Sequence, residues 1–389
     1  MPSRIALGRA VLHTASRPRL SALHHAATIS PSSRAHLYHT SPLPLDNHRV
    51  LVTGGSRGIG KAIASRFASL GASTIIIGRN ADTLQTAVRE IASNIPSSVS
   101  QRTSTPTHGY VVGDVSNEAF WQELSSTTSS FPCHHLRPSP FHPPSPPPSS
   151  PPSSTSSSSP ASHIPSIPSN KTSSQQHPQS PPPPSPHDER FHATTFAPTL
   201  TVLVNAAGVT HNALLNRQPA ARTKSVVDTN LMGTLWACKF LGKPLMRSAA
   251  KQKPAGKDGA EAKGGEEGET ASVVNGGVSV VNVSSLLAVQ GGVGSAAYAA
   301  SKAGVLGLTR ALAGEMGPLG VRVNAIVPGY IETDMTAAMQ PEAREKALER
   351  IPLRRFGTVQ EISEAAIFLA TNQFANNCVI NLDGGMSAI

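Results

Sequence analysis

The sequence has little cysteine, and its cysteines lie far apart. Its 389 residues include three of them, Cys133, Cys238 and Cys378. An odd and sparse set argues against a disulfide framework and favours a reducing compartment. No second pair of ligands follows Cys133-His134-His135, so no metal site is expected. The chain also lacks a run of about 18 apolar residues, so no membrane span is expected.

Aromatic and charged residues are scarce as well, at 4% and 14%, whereas proline is abundant. Nineteen of the 34 prolines lie between Pro132 and Pro186, among long serine runs. Such a composition cannot bury a core, so residues from about 125 to about 192 are predicted to be a disordered insertion. A second stretch, about 249–277, is rich in Lys, Glu and Gly and is typical of a solvated loop.

Acidic residues are absent from residues 1–45, where five arginines lie among Ser, Ala and Leu. This composition is typical of a mitochondrial transit peptide, so we expect residues 1–45 to direct the protein to the mitochondrial matrix. The alternative is a tail without a targeting function. Half of the net charge of +10 lies in this segment, so no nucleic-acid partner is expected from the charge. Residues 46–389 without the two insertions amount to about 250, the size of one domain.

A glycine-rich loop follows the first predicted strand, Arg49-Val50-Leu51-Val52. The loop reads Thr53-Gly54-Gly55-Ser56-Arg57-Gly58-Ile59-Gly60, and an amphipathic helix is predicted over residues 61–70. Strand, glycine loop and helix in this order are the context that a dinucleotide-binding fingerprint requires. Glycines let the backbone approach a pyrophosphate, and the helix N-terminus attracts its charge. The alternative is a simple tight turn.

The residue types after the next two strands bear on which nucleotide is bound. The strand predicted over residues 72–77 is followed by Arg79, where NAD-binding chains usually place an acid for the ribose 2′-hydroxyl. Together with Arg57, Arg79 suits a 2′-phosphate, because guanidinium groups form bidentate charge-assisted bonds to phosphate. We therefore expect NADPH. Asp114, after the third strand, could accept from the adenine amino group or cap the helix predicted over 117–124.

Further strands alternate with helices along the rest of the chain. Strands are predicted over residues 200–204, 278–283, 320–327 and 379–382. The first of these ends in Asn205-Ala206-Ala207-Gly208, and a helix over 226–246 contains Asn230 near its start. A buried Asn is costly unless bonded, so Asn230 could hold a water near Lys302 or brace neighbouring strands. The alternation predicts an α/β fold with a doubly wound parallel sheet.

A hydroxyl, a phenol and an ammonium are predicted to meet at the end of the strand 278–283. Ser284 and Ser285 follow that strand, and Tyr298 and Lys302 lie four residues apart on the next helix, so they share a face. A cation beside a phenol lowers its pKa from about 10 and prepares it for proton transfer. A serine hydroxyl can polarise the same oxygen. The alternative for the Tyr–Lys pair is an ordinary surface pair.

These motifs together resemble the short-chain dehydrogenase/reductase family. Thr53-Gly54-x-x-x-Gly58-x-Gly60, Asn205-Ala206-x-Gly208, Asn230, Ser285, Tyr298-x-x-x-Lys302 and Pro328-Gly329 stand in the family's order. The resemblance implies a single Rossmann-like domain, selects Ser285 over Ser284, and implies a homo- or hetero-tetramer. It departs at Asn376-Asn377, where the family has Thr-Gly, although Asn tolerates the left-handed backbone of that turn.

The motifs and the resemblance together assign the site. Expected catalytic residues are Ser285, Tyr298, Lys302 and Asn230, the last of which would position a water that relays protons through Lys302. Expected cofactor-binding residues are Gly54, Ser56, Arg57, Gly58, Ile59, Gly60, Arg79, Asp114, Val115, Asn205, Ala206, Gly208, Tyr298, Lys302, Pro328, Ile331 and Thr333.

Three strings are most similar to the 3-oxoacyl-[acyl-carrier-protein] reductases within the family. They start at Tyr298, Pro328 and Ile351. The similarity implies NADPH-dependent reduction of a 3-oxoacyl thioester in mitochondrial fatty acid synthesis, with acyl carrier protein as the expected carrier. The family's basic residues for the carrier have no counterpart at Leu319 or around Gly276. Alternatives are another ketone or alcohol substrate (a steroid, a polyol or a small carbonyl), and an interaction subunit that recruits partners through the Pro-rich insertion.

Overall fold

The computed structural model describes residues 45–96, 106–126, 132–136, 190–192, 200–252 and 277–388, with backbone alone at 132–136 and 190–192. These residues form nine strands in one sheet. The strands are β1 Arg49–Thr53, β2 Ser73–Gly78, β3 His108–Val112, β4 Pro132–Leu136, β5 Arg190–His192, β6 Val202–Asn205, β7 Val278–Val283, β8 Val321–Pro328 and β9 Val379–Leu382. Their order across the sheet is β5-β4-β3-β2-β1-β6-β7-β8-β9.

Helices alternate with these strands. The α-helices are α1 Gly58–Ser69, α2 Ala81–Ser93, α3 Glu118–Ser125, α4 Ala220–Val227, α5 Gly233–Gln252, α6 Leu287–Gln290, α7 Ala296–Met316, α8 Asp334–Ala337, α9 Pro341–Glu349 and α10 Val359–Thr371. A π-helical segment, Asp228–Met232, joins α4 to α5, and short 3₁₀ turns lie at Leu215–Arg217, Gly317–Leu319 and Met386–Ala388. No helix in the described ranges has both the length and the apolar character needed to cross a bilayer.

The seven strands other than β4 and β5 are parallel. All residues of β7 and β8 are buried, as expected for central parallel strands that are covered on both faces. One face packs against α1, α2 and α10, with Phe67 and Leu84 among the contacts. The other packs against α3, α5 and α7, through Trp121, Leu241 and Met316. The predicted doubly wound parallel sheet with helices on both faces is therefore confirmed.

Two short strands lie within the stretch that the composition predicts to lack regular structure. β4 pairs antiparallel with β3, and β5 pairs antiparallel with β4, so both extend the sheet beyond its parallel part. The prediction of disorder for the residues between these two strands falls outside the described residues and stays a prediction.

The boundaries of the two other predicted low-complexity segments differ slightly from the structure. Leu45 was expected to end the transit peptide, but it is 1% exposed, and its amide donates to the carbonyl of Leu70 at 3.1 Å. Leu45 therefore packs with the folded part, and the extent of the transit peptide stays a prediction. The loop expected from about 249 begins later, because α5 continues to Gln252. Residues 1–44 and 253–276 lie outside the described residues.

Candidate active site

The predicted site residues cluster at the carboxyl edge of the parallel sheet. Thr53, at the end of β1, lies opposite Ile77 of β2 and Asn205 of β6. Asn205 in turn lies opposite Asn282 of β7. The segments that follow these strands therefore leave the sheet side by side, which forms the crevice where open α/β sheets bind ligands.

The glycine loop is packed too closely for larger residues. Gly54 has a φ of +68°, and a Cβ there would lie 2.7 Å from the Cα of Ala207. A Cβ on Gly60 would lie 2.4 Å from the carbonyl oxygen of Gly54. Such distances require glycine, because the backbone of β1 folds back against the start of α1. The loop is thus compact, and the start of α1 follows it directly.

The N-terminus of α1 fits an anionic group. Its N-cap residue is Arg57, which makes no capping hydrogen bond with its side chain, and its first turn contains no acid. The first amide groups of a helix have no partner within the helix, so these donors suit a pyrophosphate. Ser56, Gly58 and Ile59 belong to the same turn, and a Cβ on Gly58 would lie 3.6 Å from Thr333 across the crevice.

Two exposed guanidinium groups are available for a 2′-phosphate. Arg79 follows β2 directly and is exposed, while Arg57 has a side chain that is 77% exposed. Nη1 of Arg57 lies 3.8 Å from Oδ2 of Asp334 at the start of α8. The acid that would bind a ribose 2′-hydroxyl is missing after β2, where Gly78, Arg79 and Asn80 stand instead. This set of residues fits a phosphorylated ribose better than a free one.

Asp114 does not cap the helix that follows it, contrary to one of the two expectations. The cap of α3 is Asn117, whose Oδ1 accepts from the amide of Ala119 at 2.9 Å. Asp114 is exposed and instead accepts from the amide and hydroxyl of Ser116, at 2.9 and 2.7 Å. Asn117 lies next to the helix start, which is why its side chain reaches the free amide first. Binding of adenine by Asp114 therefore remains a prediction.

Val115 is turned into the protein. It is 6% exposed in the core below α3, and its carbonyl accepts from Trp121 Nε1 at 2.8 Å. Because the side chain of Val115 is packed in the core, a ligand could contact this residue through its backbone atoms.

The side chain of Asn205 also points into the fold. Its Nδ2 donates to Asn282 Oδ1 at 2.9 Å and contacts Cys238 Sγ at 3.6 Å. Burial raises the pKa of the Cys238 thiol to about 12, so the thiol stays neutral. The side chain of Asn205, one of the predicted cofactor-binding residues, joins β6 to β7 and to α5, and its role toward the cofactor stays a prediction. The adjoining Ala206 and Ala207 are positioned by Thr53, whose hydroxyl accepts from both amides at 3.1 and 3.2 Å.

Of the two serines after β7, Ser285 faces the tyrosine. Ser284 is 3% exposed, and its hydroxyl donates to the carbonyl of Lys302 at 2.8 Å, which attaches β7 to α7. Ser285 forms a hydrogen bond with the side chain of Tyr298. Its Oγ also accepts from the amide of Leu287 at 3.3 Å. A ligand oxygen placed beside Ser285 would therefore also lie beside the phenol.

Burial controls the ionisation of Tyr298 and Lys302. It raises the pKa of the Tyr298 phenol above its ordinary value, and the hydrogen bond with Ser285 lowers that pKa in part. Burial also lowers the pKa of Lys302 to about 8. The sequence led us to expect a lowered pKa for Tyr298, but the net direction is the opposite. The expectation relied on the Lys302 ammonium, whose Nζ lies 6.0 Å from the centroid of the tyrosine ring. The removal of water from around the phenol disfavours the phenolate directly and so raises the pKa.

Lys302 is held by the end of β7. Its Nζ donates to the carbonyl of Val283 at 2.8 Å, and only 4% of the residue is exposed. A Cβ added to Gly208 would lie 3.3 Å from this Nζ and 3.5 Å from Oδ1 of Asn230. Gly208 therefore leaves space beside the ammonium, where a further hydrogen-bond acceptor could bind.

The sequence predicts one continuous helix over 226–246, but the structure places Asn230 in the π-helical segment Asp228–Met232. It is fully buried, and both donors of its amide are engaged, with Val209 O and Ser301 Oγ at 3.0 Å each. Its Oδ1 accepts from the amide of Val209 at 2.8 Å. A π-helical turn often occurs at a functional site, because it re-aims one side chain. Here it directs Asn230 to the loop after β6 and to α7.

Ser301 is a site residue that the sequence did not identify. Its hydroxyl donates to the carbonyl of Tyr298 at 2.7 Å and accepts from Asn230. It thereby connects Asn230 to the turn of α7 that carries the tyrosine. Serine is common in helices, so no signal in the sequence separated Ser301 from its neighbours.

The segment after β8 closes the other side of the crevice. The carbonyl of Pro328 accepts from the amide of Leu286 at 2.9 Å, which links this segment to Ser285. Ile331 is 4% exposed and pairs with Gly357. Thr333 is half-buried, precedes α8 as its N-cap and faces Gly58. These three residues lie where a ligand that extends from the glycine loop toward Tyr298 would pass.

The arrangement is suited to proton transfer at an oxygen. One crevice contains a neutral phenol, a hydroxyl that is hydrogen-bonded to it and a buried ammonium. The crevice begins at a loop that fits a pyrophosphate. In the described ranges, no group of three side chains could hold a metal ion.

Comparison with known proteins gives two family matches. Residues 48–128 match the model described as short chain dehydrogenase, and residues 268–387 match the one described as Enoyl-(Acyl carrier protein) reductase. Together these ranges contain the glycine loop, the serine, the tyrosine and the lysine.

Two curated relatives and one solved structure are similar. A 3-oxoacyl-[acyl-carrier-protein] reductase of Chlamydia muridarum is 36% identical over 191 residues, which is 49% of this chain and 66% of that protein, slightly under two thirds of its length. Carbonyl reductase family member 4 of Danio rerio is 34% identical over 191 residues, 49% of this chain and 68% of that protein. A candidate NAD(P)-dependent gluconate 5-dehydrogenase of Beutenbergia cavernae, with bound NADP at low occupancy, has 25% identity and a TM-score of 0.58 over 90% of this chain and 100% of its own.

Proposed function

Because the chain belongs to the short-chain dehydrogenase family, we propose that it reduces a 3-oxoacyl thioester to the 3-hydroxyacyl thioester with NADPH. The observation that carries the proposal is the contact of Ser285 with Tyr298 beside the buried ammonium of Lys302. The glycine loop and the start of α1 supply a matching nucleotide cradle. Several relatives with similar sequence identity to this chain are named 3-oxoacyl-[acyl-carrier-protein] reductase.

The residues of the chain have distinct tasks in this reaction. NADPH, when bound, supplies a hydride to the ketone carbon. Ser285 donates a hydrogen bond to the ketone oxygen and holds it beside Tyr298. The phenol of Tyr298, kept neutral by burial, gives its proton to that oxygen as negative charge develops there. Lys302 holds the ribose and stabilises the phenolate that remains after the transfer.

Asn230 acts as a positioning residue. Its amide is engaged with Val209 and Ser301, so it holds the loop after β6 against the helix turn that bears Tyr298. The water relay through Lys302 that the resemblance implies would use the space beside Gly208.

Apolar side chains near the site favour an acyl substrate over a sugar. The amide of Ala213 donates to the carbonyl of Gly294 at 2.9 Å, which joins the segment after β6 to the segment before Tyr298. Next to this bond are the exposed Leu214 and Val293, which are 46% and 95% exposed. A polyol would require hydrogen-bonding groups here, whereas an acyl chain would cover these side chains.

The proposal is tested by NADPH oxidation with acetoacetyl thioesters. The full chain should oxidise NADPH with acetoacetyl-acyl carrier protein, and Tyr298→Phe should lose this activity while still binding NADPH. If a polyol, steroid or small ketone is a substrate and acetoacetyl thioesters are not, the acyl assignment is wrong. If Tyr298→Phe retains the cellular function, the chain acts as an interaction subunit. A comparison of the acyl carrier protein and coenzyme A thioesters establishes which carrier is used.

We also propose a mitochondrial matrix location and a tetramer, homomeric or heteromeric. Residues 1–45 support the location through their arginines and lack of acids. Phe374, five residues before the edge strand β9, and Val379, the first residue of β9, support an assembly, since they are 98% and 44% exposed. A reporter fused to residues 1–45 that stays outside mitochondria would contradict the first. A monomer in light scattering would contradict the second.

A further inference from the structure

Two charged residues connect the two sides of the crevice. Arg57 precedes α1 in the glycine loop, and Asp334 is the first residue of α8, which follows β8. Nη1 of Arg57 and Oδ2 of Asp334 lie 3.8 Å apart. The neighbouring Gly58 and Thr333 also face each other, because a Cβ on Gly58 would lie 3.6 Å from Thr333 Cγ2. The two segments are therefore adjacent at successive positions.

Asp334 is the acid that neutralises Arg57. Among the described residues, no other carboxylate lies within 4.0 Å of this guanidinium. Both side chains are mostly exposed, at 77% and 74%, and the separation is longer than that of a hydrogen bond. An exposed pair of this kind is weak, so a stronger anion can take its place.

We propose that Asp334 competes with the 2′-phosphate of NADPH for Arg57, and thereby lowers the affinity for NADPH but not for NADH. This inference rests on the proposed use of NADPH. A phosphate carries more charge than a carboxylate and forms bidentate bonds with a guanidinium, so it displaces Asp334. Binding of the phosphate therefore includes the cost of breaking the Arg57–Asp334 ion pair, and salt lowers that cost because it screens the pair.

The test measures nucleotide binding by the full chain through nicotinamide fluorescence. Asp334→Asn should lower the Kd for NADPH about two- to fivefold at low salt, the range that a weak exposed ion pair accounts for. The Kd for NADH should stay unchanged, and the gain for NADPH should shrink at about 0.3 M salt. Arg57→Gln should weaken NADPH binding, and adding Asp334→Asn to Arg57→Gln should have no further effect.

Glu332→Gln is the matched control, because Glu332 lies two residues away but pairs with Arg344 at 2.5 Å. It removes the same charge without contacting Arg57, so the NADPH Kd should not change. The inference is overturned if Asp334→Asn leaves NADPH binding unchanged or weaker, if NADH binding tightens equally, or if the gain persists with Arg57→Gln. If the wild-type chain binds neither nucleotide, or prefers NADH, the proposed function is wrong, and the inference about Asp334 fails with it. Thermal unfolding of each variant verifies that it is folded.

Discussion

The hydroxyl of Ser284 donates a 2.8 Å hydrogen bond to the carbonyl of Lys302 and so attaches the end of β7 to α7. Its neighbour Ser285 instead forms a hydrogen bond with Tyr298. Two adjacent serines thus have different tasks. One holds together the elements that carry the candidate catalytic groups, and the other belongs to the candidate catalytic groups themselves.

Ser285→Ala and Ser284→Ala should have different effects. Without the Ser285 hydroxyl, kcat should fall roughly 100-fold or more, because a donor to the reacting oxygen is lost, while stability changes little. Ser284→Ala leaves the buried Lys302 carbonyl without this partner and should lower the free energy of unfolding by about 1 kcal/mol. Steady-state kinetics and urea unfolding separate the two. Equal losses of kcat in both variants would contradict the assignment of Ser285.

The reduction should slow above about pH 8. The pKa of Lys302 is lowered to about 8 by burial, so its ammonium loses its proton above that pH. The pKa of Tyr298 is raised, so the phenol keeps the proton that it must donate. The pH profile of kcat/KM with NADPH and an acetoacetyl thioester tests this. A profile that stays flat to about pH 9.5, more than a unit above this lowered pKa, would show that Lys302 does not control the rate.

Stability should fall as the pH drops below about 6.5. Burial, and secondarily the charge of Arg322, lowers the pKa of His48 in the folded protein. Between the lowered and the ordinary pKa, the unfolded chain binds more protons, so acid favours unfolding. The titration of His48 should lower the free energy of unfolding by at most about 1.4 kcal/mol per pH unit. Urea unfolding at several pH values measures this slope, and His48→Gln should reduce it. An unchanged slope in that variant would assign the effect to other groups.

Arg322 should stabilise the protein without affecting the reaction. It is 8% exposed, and its guanidinium donates to the carbonyls of Leu369, Ala370 and Ala375 at and beyond the end of α10. Arg322→Met should lower the free energy of unfolding by roughly 3 kcal/mol, because the charged donors to these carbonyls at the end of the helix are lost. Chemical denaturation gives the loss. NADPH affinity should stay unchanged in the folded variant, and a large change there would reveal a link to the site.

Two glycine substitutions should have different effects, one on NADPH binding and the other on stability. Gly60→Ala places a Cβ 2.4 Å from the carbonyl of Gly54, so the loop must open and NADPH binding should weaken at least tenfold. Gly307→Ala, on α7, meets nothing within 4 Å and should raise stability by about 0.5–1 kcal/mol. Binding titrations and thermal unfolding test both. Unchanged NADPH affinity in Gly60→Ala would mean that the loop does not hold the nucleotide.

Local patterns were sufficient for most of the fold. The β-branched runs predicted the parallel strands, because such strands are buried on both faces. The turn at Asn376-Asn377 could also be anticipated, and Asn377 indeed has a φ of +58°. The short strands β4 and β5 could not be anticipated, since their proline- and serine-rich surroundings give no signal and pairing depends on the distant edge of β3.

The seven parallel strands, the glycine loop and the residue types of the candidate site could be predicted from the sequence, because each shows a pattern within a few positions. The contacts of those side chains follow from the packing of distant segments. Asn205 bonds to Asn282, 77 residues away, and Asn230 bonds to Ser301, 71 residues away. The pKa of Tyr298 is likewise raised by burial that the whole fold creates. Burial and long-range hydrogen bonds arise only when distant segments pack together, so spacing along the chain could not reveal them.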